Sequence, residues 1–307
     1  MEFANPRYLV DTDWLEDNLA NVRILDVTAM LTSKLINRAE VEVFAKSHIP
    51  GAIFFDVPSG KGCLSDPDAN LPWTWPKPED FVATMARYGI DNQTRVVIVA
   101  TTPREGLDNG TMWCTRAWWT LHHFGVDCAI LDGGVEKWRA EGRALTQEVT
   151  MPPAAAPFVI DDNWRRGLAG KNDVLAALAS ATTCVVDTLA ESSFSGESAG
   201  YGARKGHITG AINVPIGRFT IAGTAKFRSA AEIHEALAAS DLLATEKVVT
   251  YCGGAIAATV DAFALALFGH ADVAVYDGSL MEWTADSELP MTDPSPPATS
   301  SDDTSAA

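Results

Sequence analysis

The sequence predicts an α/β protein built from two copies of one unit, each a small parallel β-sheet flanked by helices. Three observations carry the prediction. Four matched segments recur in the same order in the two halves of the 307-residue chain. Short β-branched runs alternate with stretches whose apolar residues fall every three or four positions, as in helices packed on a sheet. The strand-like runs are apolar almost throughout, which fits strands buried in the middle of an α/β layer.

Taken in order, the first half gives "VRILDV", "KSHIPGAIFFDV", "TRVVIVA" and "VDCAILDGGVEKW". The second gives "TCVVDT", "KGHITGAINVPI", "EKVVTYC" and "ADVAVYDGSLMEW". Asp26 thus matches Asp187, His48 matches His207, and the Asp-Gly pair before Trp138 matches the one before Trp283. "HIPGA" and "HITGA" read as turns entering strands, and "PEDFVATMARYG" and "SAAEIHEALAAS" read as amphipathic helices. These place one domain at 1–146 and a second at 159–294. The proline- and alanine-rich 147–158 is an exposed connector. The tail 295–307 has nothing to pack and is expected to be disordered.

Composition narrows the function classes. Forty acidic side chains against 23 basic ones give a net charge of −17, a field that repels nucleic acid in the absence of a local basic stripe. No apolar run has the length and flanks of a membrane span, and the first residues lack a secretory pattern, so a soluble cytoplasmic protein is expected. Nothing signals an oligomer, and a monomer is the expectation. Five cysteines, none in a CxxC pair, are expected to be thiols rather than disulfides or zinc ligands.

The chemistry centres on "YCGGAIAATV". Cys252 follows a strand at Val248–Tyr251, and Gly253-Gly254 turn the chain into an apolar helix over 256–268. Reactive groups in open α/β sheets sit outside the carboxyl ends of strands. A curved, glycine-permitted loop can turn several N–H groups inward, forming with the helix N-terminus a nest for an anion or thiolate. A small buried cysteine is the competing reading. Comparison of the halves favours chemistry: the matching loop of the first half is longer, and counting back from Gly125 and Gly269 sets Asp108 opposite Cys252. Cys114 falls inside the following helix and reads as packing.

The two-copy arrangement, with "HIPGA" and "FFD", "RAWW" at 116–119, "LDGGVEKW", "GHITGAINVP" and "YCGG", resembles the tandem-domain rhodaneses, a sulfurtransferase family, over about residues 8–292. The resemblance implies two rhodanese-like domains, the first inactive and the second carrying the reactive loop, with no metal or organic cofactor. It implies that Cys252 takes a sulfane sulfur from thiosulfate or 3-mercaptopyruvate, as a persulfide, and passes it to cyanide or a thiol. The amides of Gly253, Gly254, Ala255, Ile256 and Ala257 would form the anion cradle.

The loop departs from the family pattern by carrying neither a cation nor a serine, and Asp187-Thr188-Leu189 stands where the family often has Asp-Ala-Arg. Weak or atypical thiosulfate turnover is therefore expected, with Arg204 and Lys205 as candidate donor-binding cations from another loop. Ala255 replaces a common glycine. It closes the loop easily in a helical conformation and alters the cradle if positive φ is required. A phosphatase would want an arginine closing the loop, and a cysteine protease a histidine base; neither is found. A non-enzymatic persulfide-binding module is the remaining alternative.

Overall fold

The computed structural model describes residues 1–104, 109–161, 163–198 and 200–293. Its centre is two five-stranded sheets of the same topology. The first runs, edge to edge, Leu9–Val10, Cys128–Leu131, Val96–Val99, Arg23–Asp26 and Ala52–Phe54. The second runs Leu168–Ala169, Val273–Tyr276, Lys247–Tyr251, Thr183–Asp187 and Ile212–Asn213. Every pairing within both sheets is parallel. The central strands are buried, as their apolar runs require.

The predicted helices form for readable reasons. Pro78–Arg87 opens with proline in its first turn, followed by Glu79 and Asp80, and buries Phe81 and Met85. Ala230–Ala239 starts at a Ser229/Glu232 capping box and buries Ile233 and Leu237. The helix after the Cys252 loop begins at Ala258, two residues later than the sequence pattern indicated, and ends at Leu267. The extra residues belong to the loop.

The two halves share one apolar core. Helices Gly110–His123 and Ala258–Leu267 occupy matching places and pack on each other, with the Thr115 and Thr259 hydroxyl oxygens 2.8 Å apart and the edge of Phe263 against Trp118. The repeated Asp-Gly pairs have a role the sequence did not disclose. Asp132 accepts a 2.9 Å hydrogen bond from the Phe227 amide, while Asp277 accepts one of 2.9 Å from the Trp75 amide. Each half thus holds a backbone loop of the other, and Trp138 and Trp283 are buried beside these turns.

The connector is exposed along most of its length but fastened at its end. Phe158 is buried against Phe81, and the Asn92 side chain pairs with both backbone polar groups of Val159. The C-terminal tail from 295 lies outside the described residues, as does Asp108. All five cysteines are free thiols. Among the described residues no helix is long and apolar enough to cross a membrane.

Candidate active site

Cys252 stands at the carboxyl end of the central strand Lys247–Tyr251, 2% exposed. Residues 252–257 form an irregular turn before the helix at Ala258. Hydrogen bonding from the backbone N–H groups of Gly254, Ile256 and Ala258 favours the anion of the sulfur. Burial is the stronger influence and raises the thiol pKa, and nearby Asp187 raises it further. The resting site therefore favours the neutral thiol, with a nest already aimed at whatever negative charge forms there.

The loop is held from behind by Ser279. Its hydroxyl oxygen accepts from the amides of Cys252 at 3.2 Å and Ala255 at 3.0 Å, and donates to the Tyr276 carbonyl at 2.8 Å. The start of helix Ser279–Trp283 takes the opposite polarity, Leu280 and Met281 donating to the carbonyls of Cys252 and Gly253, each at 3.0 Å. Carbonyls are thereby drawn backward and alternate amides turn forward. Of the expected cradle of Gly253 to Ala257, the Ala255 amide is spent on Ser279, while Gly254 and Ile256, together with Ala258 beyond the expected range, favour the thiolate.

Ala255 resolves the question its sequence left open, because its φ is +61°. The position is left-handed and not helical, an arrangement that costs an L-residue about 1 kcal/mol or more. Ser279 is left-handed too, at φ +47°, and its counterpart in the first half is Gly134 at φ +57°.

The first-half counterpart of Cys252 also needs correction. Strand register matches Val96 with Val248, since each donates to the residue before the neighbouring strand and pairs with that strand's first residue. Ala100 then falls opposite Cys252, and its carbonyl accepts from Val135 as that of Cys252 accepts from Leu280. Asp108 follows from counting back from the helix ends, but in the strand frame the helix at Gly110–His123 starts four residues later than that at Ala258–Leu267, so the loop lengths differ.

Arg204 is not directed at the thiol. Its guanidinium donates to the carbonyls of Trp283, Thr284, Asp286 and Leu289, closing the end of helix Ser279–Trp283. Lys205 is exposed. His48 and His207 are structural: each stacks on a phenylalanine, Phe44 or Phe194, and bonds that residue's carbonyl at 2.8 Å. Asp26 and Asp187 fix the turns after their strands through 2.9 Å bonds from Thr28 and Leu189, and burial raises both carboxyls to about 6. Cys114 is buried in its helix. His122 stacks on Trp118 and His123 packs at a tilt against Trp119 at the junction of the halves.

Three walls of the site come from segments the sequence reading did not assign. The Tyr201 ring lies where a side chain on Gly253 would be, and the indole of Trp73 lies against Gly254 together with Met281. Trp73 belongs to the first half. So does Arg116, the first residue of "RAWW", which is 1% exposed and bonds the Ala255 carbonyl. The available signal was a charged residue inside an otherwise apolar helix.

Comparison with known proteins agrees with this architecture. A family model described as "Rhodanese-like domain" matches residues 11–141 and 171–286. The chain is 28% identical over 290 residues to the 3-mercaptopyruvate sulfurtransferase of Escherichia coli K12, covering 92% of this chain and 97% of that protein. It is 30% identical to the thiosulfate sulfurtransferase of Gallus gallus, covering 90% and 93%. The crystal structure of SseA from Escherichia coli, a 3-mercaptopyruvate sulfurtransferase, superposes with a TM-score of 0.74 at 26% identity over 89% of this chain and 98% of that one. An anaerobic ergothioneine biosynthesis enzyme from Chlorobium limicola shares the fold, with a TM-score of 0.82 at 21% identity over 96% and 72%. Two matched domains, a common topology and relatives spanning nine-tenths of the sequence establish that this chain belongs to the rhodanese-like family, as a tandem-domain sulfurtransferase.

Proposed function

We propose that the protein moves a sulfane sulfur from a small anionic donor, thiosulfate or 3-mercaptopyruvate, through a persulfide on Cys252 to cyanide or a thiol. The observation that carries this reading is one buried thiol at a strand end, in a loop pinned from behind by Ser279, whose Gly254, Ile256 and Ala258 amides favour the thiolate. With thiosulfate, the Cys252 thiolate attacks the outer sulfur. The donor's S–S bond breaks, sulfite leaves with the electron pair, and the new Sγ–S bond leaves the outer sulfur anionic. With 3-mercaptopyruvate the C–S bond breaks instead, and the departing enolate is protonated to pyruvate. An acceptor nucleophile then takes the outer sulfur and returns the thiolate. The amides hold negative charge at each stage without rearranging, as a preorganised anion hole does.

No arginine or lysine lies within the loop itself, and Arg204 is engaged elsewhere. This supports a donor preference tilted away from the doubly charged thiosulfate. Free thiols throughout favour a reducing compartment, and we assign the protein to the cytoplasm.

The test is turnover of each donor with cyanide or a dithiol, run beside Cys252→Ser. Turnover lost in the variant, with an adduct of about 32 Da (one sulfur) on the parent, is the expected result. An adduct without turnover would instead identify a persulfide-binding module.

A further inference from the structure

Arg116 stands out among the buried charges because it reaches the reactive loop from the other half of the molecule. Its guanidinium donates to the Ala255 carbonyl at 3.3 Å and to the Trp73 carbonyl, lies 3.5 Å from the Asp277 carboxylate, and sits 5.7 Å from the centroid of the Trp75 ring. Asp277 in turn holds the Trp75 amide. One cation therefore joins the loop bearing Cys252, the Trp73–Trp75 wall of the first half and the acidic clasp of the second. Taking an arginine out of water is costly unless carbonyls, a carboxylate and an aromatic face replace the lost hydration. All three are present here.

The point of contact matters. Ala255 sits in a left-handed turn that an alanine does not adopt unaided, and its amide is fixed to Ser279. Arg116 fixes the other end of the same residue by its carbonyl. The carbonyl held by Arg116 and the N–H of Ile256 belong to one peptide plane, so fixing the carbonyl fixes the direction of that N–H, one of the three that favour the thiolate.

We infer that Arg116 is the positioning residue of the sulfur cradle: it locks the Ala255 turn so that the Ile256 amide faces Cys252, and it brings to the site a fixed positive charge that the loop itself lacks. This rests on the reading of Cys252 as the sulfur acceptor. The groups that set its net field are Asp277 beside it, Asp187 near the thiol, and Cys252 itself, which lies within its electrostatic reach.

The test uses the full chain and reads the thiolate directly. Alkylation of Cys252 by iodoacetamide, followed against pH by intact mass and peptide mapping, reports thiolate formation whether or not the protein turns over sulfur. Arg116→Met is expected to move the midpoint of that profile upward and to slow alkylation at neutral pH by about tenfold, equivalent to one pH unit. Because Arg116→Met leaves Asp277 buried without its partner, Arg116→Met/Asp277→Asn is measured beside it. A midpoint that stays high in the double variant supports the inference, and one that returns to the parental value overturns it by tracing the effect to Asp277. Arg116→Lys, which keeps the charge but not the planar fork, is expected to recover part of the shift. A parental profile in folded Arg116→Met also overturns the inference. A parent that shows the pH profile but transfers no sulfur would remove the functional reading and leave the positioning role standing.

Discussion

At the scale of single residues, Ser279 determines the shape of the reactive loop more than any side chain within the loop. Its hydroxyl oxygen is the acceptor for two buried amides, and a fully enclosed N–H left without an acceptor costs on the order of 1–3 kcal/mol. Ser279→Ala is accordingly expected to lower unfolding stability by about 2 kcal/mol and to reduce sulfur transfer at least tenfold, read by urea titration and by initial rates. Normal stability with normal turnover would show that the loop keeps its shape without this anchor. The sequence carries a signal for this serine. The first half has Gly133-Gly134 where the second has Gly278-Ser279, and the second position of each pair is left-handed. A serine kept where glycine is the unstrained choice needs a reason, and the reason is its hydroxyl. Cys252, by contrast, was legible, because strand, glycine pair and apolar helix are consecutive in the chain. Arg116 and Trp73 were not legible as site residues. They approach the loop from 136 and 179 positions away, a separation that local pattern does not report.

At the scale of elements, the loop over 252–257 is enclosed between a helix start behind it and two aromatic rings in front. Gly253 is the narrow point: a Cβ there would collide with the ring of Tyr201, a residue that is 47% exposed. Gly253 has no positive φ to protect, so alanine fits its backbone and conflicts only with the ring. Gly253→Ala is expected to displace Tyr201 and make Cys252 react faster with a neutral thiol reagent, while the unfolding midpoint changes little. Unaltered reactivity would mean that Tyr201 does not limit access. Most elements followed from periodicity, including both helices with polar starts at Pro78 and Ser229. The reactive helix began late because Ile256 and Ala257 fit an apolar helical pattern equally well while their backbone belongs to the turn. Composition does not distinguish a helical alanine from one bent around an anion site.

At the scale of the whole molecule, the two halves unfold as one unit if the shared core and the paired clasps govern stability. Asp132 holds the Phe227 amide across the junction. Asp132→Ala is expected to lower the thermal midpoint, at a cost of about 1–2 kcal/mol for the orphaned amide, and to broaden the single transition seen by scanning calorimetry. A transition of unchanged sharpness and position would assign cohesion to the helix pair alone. The duplicated architecture was legible because the same motifs were written twice. The reciprocal embrace was not, since an Asp-Gly turn reads identically whether its carboxylate faces its own domain or the neighbour.

That embrace has a consequence for how such a protein can change. The copy without a loop cysteine furnishes the indole at Gly254 and the guanidinium behind Ala255, so it forms the opposing jaw of the proposed reaction site. New substrate preferences can therefore be engineered by editing the stretch around Trp73 while the reactive loop stays untouched. A fragment cut at the connector would keep its nucleophile and lose half the mould that shapes it.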